Sequence, residues 1–264
     1  EKPNLFGVSS WVYGVLLAGA VLRVNGLTVS AVHYDEAFSL TAVRQGLFEM
    51  VSSLTLNIRP PGWEILLWFV TRIAGFTPLA ARSIPLLASL ATLWIALRLT
   101  QELGLGFSHQ VIALGLLAGL PFQIWIAQDG RVYALYTFLY ALGVLWAIRG
   151  RWLGLTAVMG LLLWCHNTAL FYIPALGLIA LLRHPRAWKS ILLAGVIAGL
   201  GWMVWVPTVF YQASTPLAIF PLFTLRHVVT NVEGAFFDGA LQEGWALFGM
   251  IAVAVSFVVA LVTT

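Results

Sequence analysis

The chain has 264 residues, 61% hydrophobic and 9% charged, with a formal net charge of +4 and a mean hydropathy of +0.93. Such a composition excludes a soluble domain and points to a polytopic membrane protein, with no nucleic-acid partner expected. The single cysteine, Cys165, excludes an internal disulfide and any cysteine-based metal site.

Backbone groups in hydrocarbon must pair internally, so only helices or a closed barrel can span. Long apolar runs without ten-residue alternation favour helices. They fall at 8–27, 61–76, 79–97, 108–127, 132–148, 152–165, 168–182, 189–211 and 241–264. No small-residue cleavage pattern follows the first run, so no cleavable signal is expected.

After the first run comes H-Y-D-E-A, His33 to Ala37, where two of only ten acids stand side by side. The stretch from Asp35 to Gly46 predicts a short helix, with acids at its start, Arg44 near its end and Gly46 as a stop. Asp35 and Glu36 either cap that helix, or supply a carboxylate at the membrane surface that acts as a base or orients a hydroxyl. Arg59 then precedes Pro60-Pro61 at the head of 61–76. It either snorkels to lipid headgroups or clamps a phosphate, whose oxygens match a guanidinium fork. Glu64 and Arg72 would each cost ~2.5–3.5 kcal/mol at a helix centre. With two tryptophans in the same run, 61–76 is expected to lie embedded in the outer interface without crossing.

Gln128, Asp129, Gly130 and Arg131 link 108–127 to 132–148, and Tyr133 and Tyr136 extend a polar stripe into the next helix. The Asp–Arg pair either holds a tight turn or brings a second cation for a diphosphate or a lipid monophosphate. The runs 152–165 and 168–182 are short for a ~30 Å core at 1.5 Å per residue. They predict a hairpin turning at His166-Asn167, with Pro174 as a second bend. His166 is either a hydrogen-bonded structural residue or a ligand or base. His33 and His227 share its side without ligand spacing. No H-E-x-x-H or comparable motif exists, so a divalent metal would have to be assembled from distant residues.

Arg98, Arg149, Arg151, Arg183, Arg186 and Lys189 lie in three connections separated by two spans each. They therefore share one face, which their charge marks as cytoplasmic. The polar clusters then face the extracytoplasmic side, and eight crossings follow.

These pieces, in this order, resemble a known family. The D-E pair follows the first span, a basic residue precedes Pro-Pro, and Ala80-Ala81-Arg82-Ser83-Ile84-Pro85 makes an a-a-R-x-x-P step. Ala127 to Leu135 then matches S/A-Q-x-x-R-x-Y-A-L, and a Y/C-x-H-like element ending at His166 precedes a Phe-Tyr helix. The set, covering about residues 15–212, is similar to the GT-C superfamily of integral membrane glycosyltransferases, in the branch of protein O-mannosyltransferases and lipid A aminoarabinose transferases.

The resemblance implies one all-α GT-C-like module over 1–264, with interfacial helices in a first extracytoplasmic loop, 28–78. It implies a polyprenyl-phosphate sugar donor and a lipid, glycan or protein acceptor, in a bacterial or archaeal plasma membrane. It makes Asp35 the acceptor base with Glu36 beside it, and Arg59 and Arg131 the donor-phosphate ligands. Gln128, Asp129, Tyr133, His166 and Asn167 are further site candidates. Many members place the acid one residue beyond Asp129, which separates that residue from its family role. Members also continue into further spans and often a soluble domain, so the chain is expected to be the catalytic module or part of a longer protein. A lipid-linked sugar flippase and a non-catalytic assembly subunit are the rival expectations. The first should place polar groups near the midplane of several spans.

Overall fold

The structure is a computed structural model that describes residues 10–28, 31–55 and 59–214. Among the described residues it is helical throughout, without strands. The helices are α1 (Ser10–Val24), α2 (Tyr34–Ala42), α3 (Leu47–Leu54), α4 (Gly62–Ala74), α5 (Pro78–Glu102), α6 (Phe107–Gly119), α7 (Pro121–Gln128) and α8 (Tyr133–Arg149). Then come α9 (Trp152–Cys165), α10 (Ala169–Arg183), α11 (Trp188–Trp202) and α12 (Val206–Ser214), with single 3-10 turns before and after α11.

Length and composition allow two of these stretches, Pro78–Glu102 and Pro185–Gln212, to cross a membrane. The bent pair α6–α7 makes a third if it is one span, and α1, α8, α9 and α10 are shorter apolar helices. The expected run 241–264 lies outside the described residues, as do His227 and most of the polar stretch before it.

Two predicted runs differ in detail. The run 108–127 is two helices meeting at 51°. Leu120 is extended (φ −65°, ψ 117°) because the following Pro121 has no N–H and clashes with a helical predecessor. The carbonyls left over at the end of α6 are met from outside. Arg23 donates to Leu117 O (3.1 Å) and Ala118 O (2.8 Å), and its Nε to Ser89 Oγ (2.8 Å). By contrast α10 runs unbroken through Pro174. There the missing N–H leaves the Leu170 carbonyl without its i+4 donor, yet the helix continues.

The scaffold is built on α5 and α8, the most extensively packed pair. Their C-terminal ends are tied where Arg149 Nε donates to Glu102 Oε1 (2.6 Å), and His184 closes the same end on the Ile148 carbonyl (2.8 Å). The main core joins Trp63 and Leu67 of α4 to Met50, Leu155, Met159 and Leu162, all fully buried.

Helix α4 has 13 residues and rises only ~20 Å. Glu64, in its first turn, accepts from Ser39 Oγ of α2, and Arg82 of the following α5 donates to Glu36 of α2. Residues 36 and 39 are one helical turn apart, so both contacts fall on the same short stretch of α2.

Candidate functional site

The nine residues of α2 set the site's layout. Glu36 and Ser39, at i and i+3, share its buried face, while Asp35 stands on the flank and keeps about a third of its side chain exposed. Glu36 is gripped on both oxygens: Arg82 Nε and Nη2 each donate at 2.8 Å, and Arg82 also donates to the carbonyls of Leu27 (2.7 Å) and Ala31 (3.2 Å). Both side chains are almost fully buried, at 3% and 1% exposure. This fork fixes α2 against the first turns of α5.

The turn between α7 and α8 lies against the same carboxylate. A Cβ on Gly130 would fall 2.5 Å from Glu36 Oε1, so any other residue there must displace the Glu36 side chain from its place. Beside it, Asp129 is buried and its Oδ2 has no hydrogen-bond partner among the described residues. Burial pushes the Asp129 carboxyl above the usual carboxylate range, against the pull of Arg131; Glu36 pushes it further up, and His33 and Arg82 oppose. Gln128 faces the other way. Its Nε2 donates to the carbonyls of Leu22, Arg23 and Asn25 (3.2, 3.2 and 2.6 Å) and closes the C-terminus of α1.

Arg131 connects this turn to α2. Its Nη2 lies 2.8 Å from Asp35 Oδ2 and donates to the Tyr133 hydroxyl at 2.8 Å, with the guanidinium 4.6 Å from the Tyr133 ring centre. Arg131 Nε is buried with no partner among the described residues. The third arginine, Arg59, lies 3.3 Å from Glu64 Oε1 and donates to Ser39 Oγ (3.4 Å), which itself donates to Glu64 (3.3 Å). Glu64 is fully buried, and that burial outweighs Arg59 and raises its carboxyl above the ordinary value. Gly62, three residues after Arg59, lets the start of α4 lie directly on the Trp164 carbonyl at the end of α9.

The α9–α10 turn completes the site. His166 Nδ1 bonds Thr168 at its hydroxyl (2.9 Å) and accepts from its backbone N–H (3.2 Å), and Thr168 donates to the Tyr136 hydroxyl (3.3 Å). The His166 ring lies 6.0 and 6.5 Å from the rings of Tyr136 and Tyr133. Its pKa is lowered first by burial and then by Arg59 and Arg131, so positive potential from both arginines reaches this turn. Asn167 is half-buried beside it.

The three arginines therefore face three carboxylates, and Asp129 is a fourth acid that forms no ion pair among the described residues. Asp35 and Arg131, Glu36 with Gly130, and Tyr133 with His166 come together, whereas Gln128 closes α1. Sequence reasoning missed Ser39 and Glu64 as members, and gave Arg82 no partner. The spacing of Glu36 and Ser39 was the available signal. No group of three or more His, Cys, Asp or Glu side chains suited to a metal ion occurs among the described residues. Comparisons with known protein families, curated proteins and solved structures find no match to this chain.

Proposed function

We propose that the chain is an integral membrane glycosyltransferase of the GT-C type, with eight crossings, α4 lying in the outer interface and the site extracytoplasmic. It moves a sugar from a polyprenyl-phosphate donor to a hydroxyl, amine or phosphate acceptor. The observation that carries this reading is the pairing of Asp35 with Arg131 at 2.8 Å, at the same end of the bundle as Arg59 and His166.

In this reading the donor phosphate enters between Arg59 and Arg131, where charge-assisted bonds stabilise it as a leaving group. Asp35 is the carboxylate that can yield, being a third exposed where Glu36 and Glu64 are sealed. Once phosphate takes its place on Arg131, Asp35 accepts the acceptor's proton. The new bond forms at the anomeric carbon as the bond from that carbon to the phosphate oxygen breaks, with inversion. Glu36 and Arg82 hold α2 in place and Tyr133 supports Arg131. An apolar groove of about 470 Å³, lined by Leu163, Leu170, Pro174, Gly199, Trp202 and Val206, starts beside the His166 turn and suits an isoprenoid tail.

The test is sugar transfer by purified protein in lipid bilayers, offered a panel of polyprenyl-phosphate sugars, with Asp35→Asn in parallel. Release of polyprenyl phosphate by wild type alone supports the proposal. Binding without turnover across a panel of acceptors favours a non-catalytic subunit, and movement of donor between leaflets without transfer favours a flippase.

A further inference from the structure

We propose that the face formed by the α2–α3 turn, α3 and α4 is a binding site for an anionic membrane lipid, whose phosphate sits between Arg44 and Arg72. This does not depend on the glycosyl-transfer reading, because the two arginines belong to none of the groups that build the candidate site.

The guanidiniums of Arg44 and Arg72 share one aromatic ring, lying 5.9 and 4.9 Å from the centre of Phe76. Arg72 also lies 4.6 Å from the Trp68 ring and donates to the Gln45 carbonyl (3.2 Å), which accepts the Trp68 indole N–H as well (3.1 Å). One backbone carbonyl thus ties the α2–α3 turn to α4, and both forks meet at the Phe76 ring. Two like charges around a single ring repel, and neither forms an ion pair among the described residues. Glu49, the acid closest in sequence to Arg44, turns back to the Gly46 N–H (3.3 Å).

The rim decides which anion fits. Phe48 and Ile73 are each 89% exposed, and Phe69 and Leu79 each 52%. A free phosphate would leave these side chains in water, whereas a phospholipid places its phosphate on the arginines and its chains along the apolar rim. A second copy of the chain would have to bring carboxylates. Among the described residues Glu36, Glu64 and Asp129 are buried, Asp35 and Glu102 already hold arginines, and Glu49 caps α3. Cation–π contacts hold both guanidiniums over the ring, and a planar fork then meets phosphate oxygens with little further ordering.

The experiment is native mass spectrometry of the full chain in neutral detergent, titrated with phosphatidylglycerol or phosphatidylcholine. Wild type should retain phosphatidylglycerol preferentially. Arg44→Gln with Arg72→Gln should weaken it on the order of tenfold or more, from about fivefold per arginine near an anionic lipid. Arg44→Gln alone, which breaks no side-chain hydrogen bond among the described residues, should weaken it about fivefold and guards against a folding defect in the double variant. Arg98→Gln, at the opposite end of the bundle, should change nothing. Equal retention of both lipids, or an unaltered double variant, overturns the proposal. So does displacement by millimolar inorganic phosphate, which would mark a site for free anions. Loss of a dimer on substitution would instead identify the face as a self-association surface.

Discussion

Arg131 and Asp35 stand 96 positions apart in the chain and 2.8 Å apart in the fold, so the phosphate clamp and the base proposed here occupy each other. Removing the carboxylate charge should expose the clamp. Asp35→Asn is expected to bind polyprenyl phosphate about twofold to fivefold more tightly, the scale of a partly exposed ion pair. The same variant should lose transfer by about 10²–10⁴-fold, as befits a general base. Weaker binding in a direct titration would mean that Asp35 supports the phosphate site rather than masking it.

Glu36 and Arg82 should behave differently, because both are sealed from water. Glu36→Gln leaves a buried guanidinium without its counter-charge and is expected to cost about 3–5 kcal/mol. Gly130→Ala drives a methyl into the same carboxylate and should reproduce the defect. Thermal unfolding in detergent, followed by size-exclusion chromatography, reads both. Unfolding of either variant at the wild-type temperature would show that α2 is not anchored by this contact.

Asp129 predicts a pH dependence with a definite sign. Its folded-state pKa is raised by burial, so its contribution to stability is complete below the ordinary carboxylate range and is lost as pH rises through the raised value. Asp129→Asn stays neutral throughout. Its melting temperature should therefore gain on wild type between pH 4 and pH 8, on the order of 2–4 °C for each kcal/mol recovered. A variant destabilised equally at both pH values would assign Asp129 a structural hydrogen bond instead.

Gln128 separates the family resemblance from the geometry. If it only closes α1, Gln128→Ala should destabilise the fold by about 0.5–1.5 kcal/mol for each net hydrogen bond lost. Its KM for the donor should be unchanged. A raised KM with an unchanged melting temperature would return Gln128 to the substrate.

Most helices were legible because their runs are long and bounded by charge, proline or glycine, and the run 152–165 coincides with α9. Helix α3 was missed because L-F-E-M-V-S-S-L is short and mixed, although Gly46 and Glu49 at its start form a readable capping signal. The break at Leu120 was also legible in principle, since Pro121 interrupts the apolar run. What local pattern could not supply is pairing across the chain. The order of charged clusters brought Asp35 and Arg131 to one end, but nothing near either residue says that they touch. Nor does spacing reveal that Asp129 is dry while Asp35, in a similarly polar stretch, is wet. That difference comes from Glu36 and Gly130 closing over the turn.

The bend between α6 and α7 has a consequence for the order in which the chain is made. Arg23 finds its acceptors 66 and 95 residues later, at Ser89 and Ala118. While the ribosome is still completing that interval, the Arg23 guanidinium in α1 has only its own helix's Gly19 carbonyl to bond, at a cost below the ~2.5–3.5 kcal/mol of a helix centre because Arg23 lies near its end. The nascent first helix should therefore linger at the insertion site until α6 arrives. Glycosylation mapping of chains truncated near residue 90 would read this as poorer integration of α1 than in Arg23→Leu, with the gap closing once Ala118 has been synthesised.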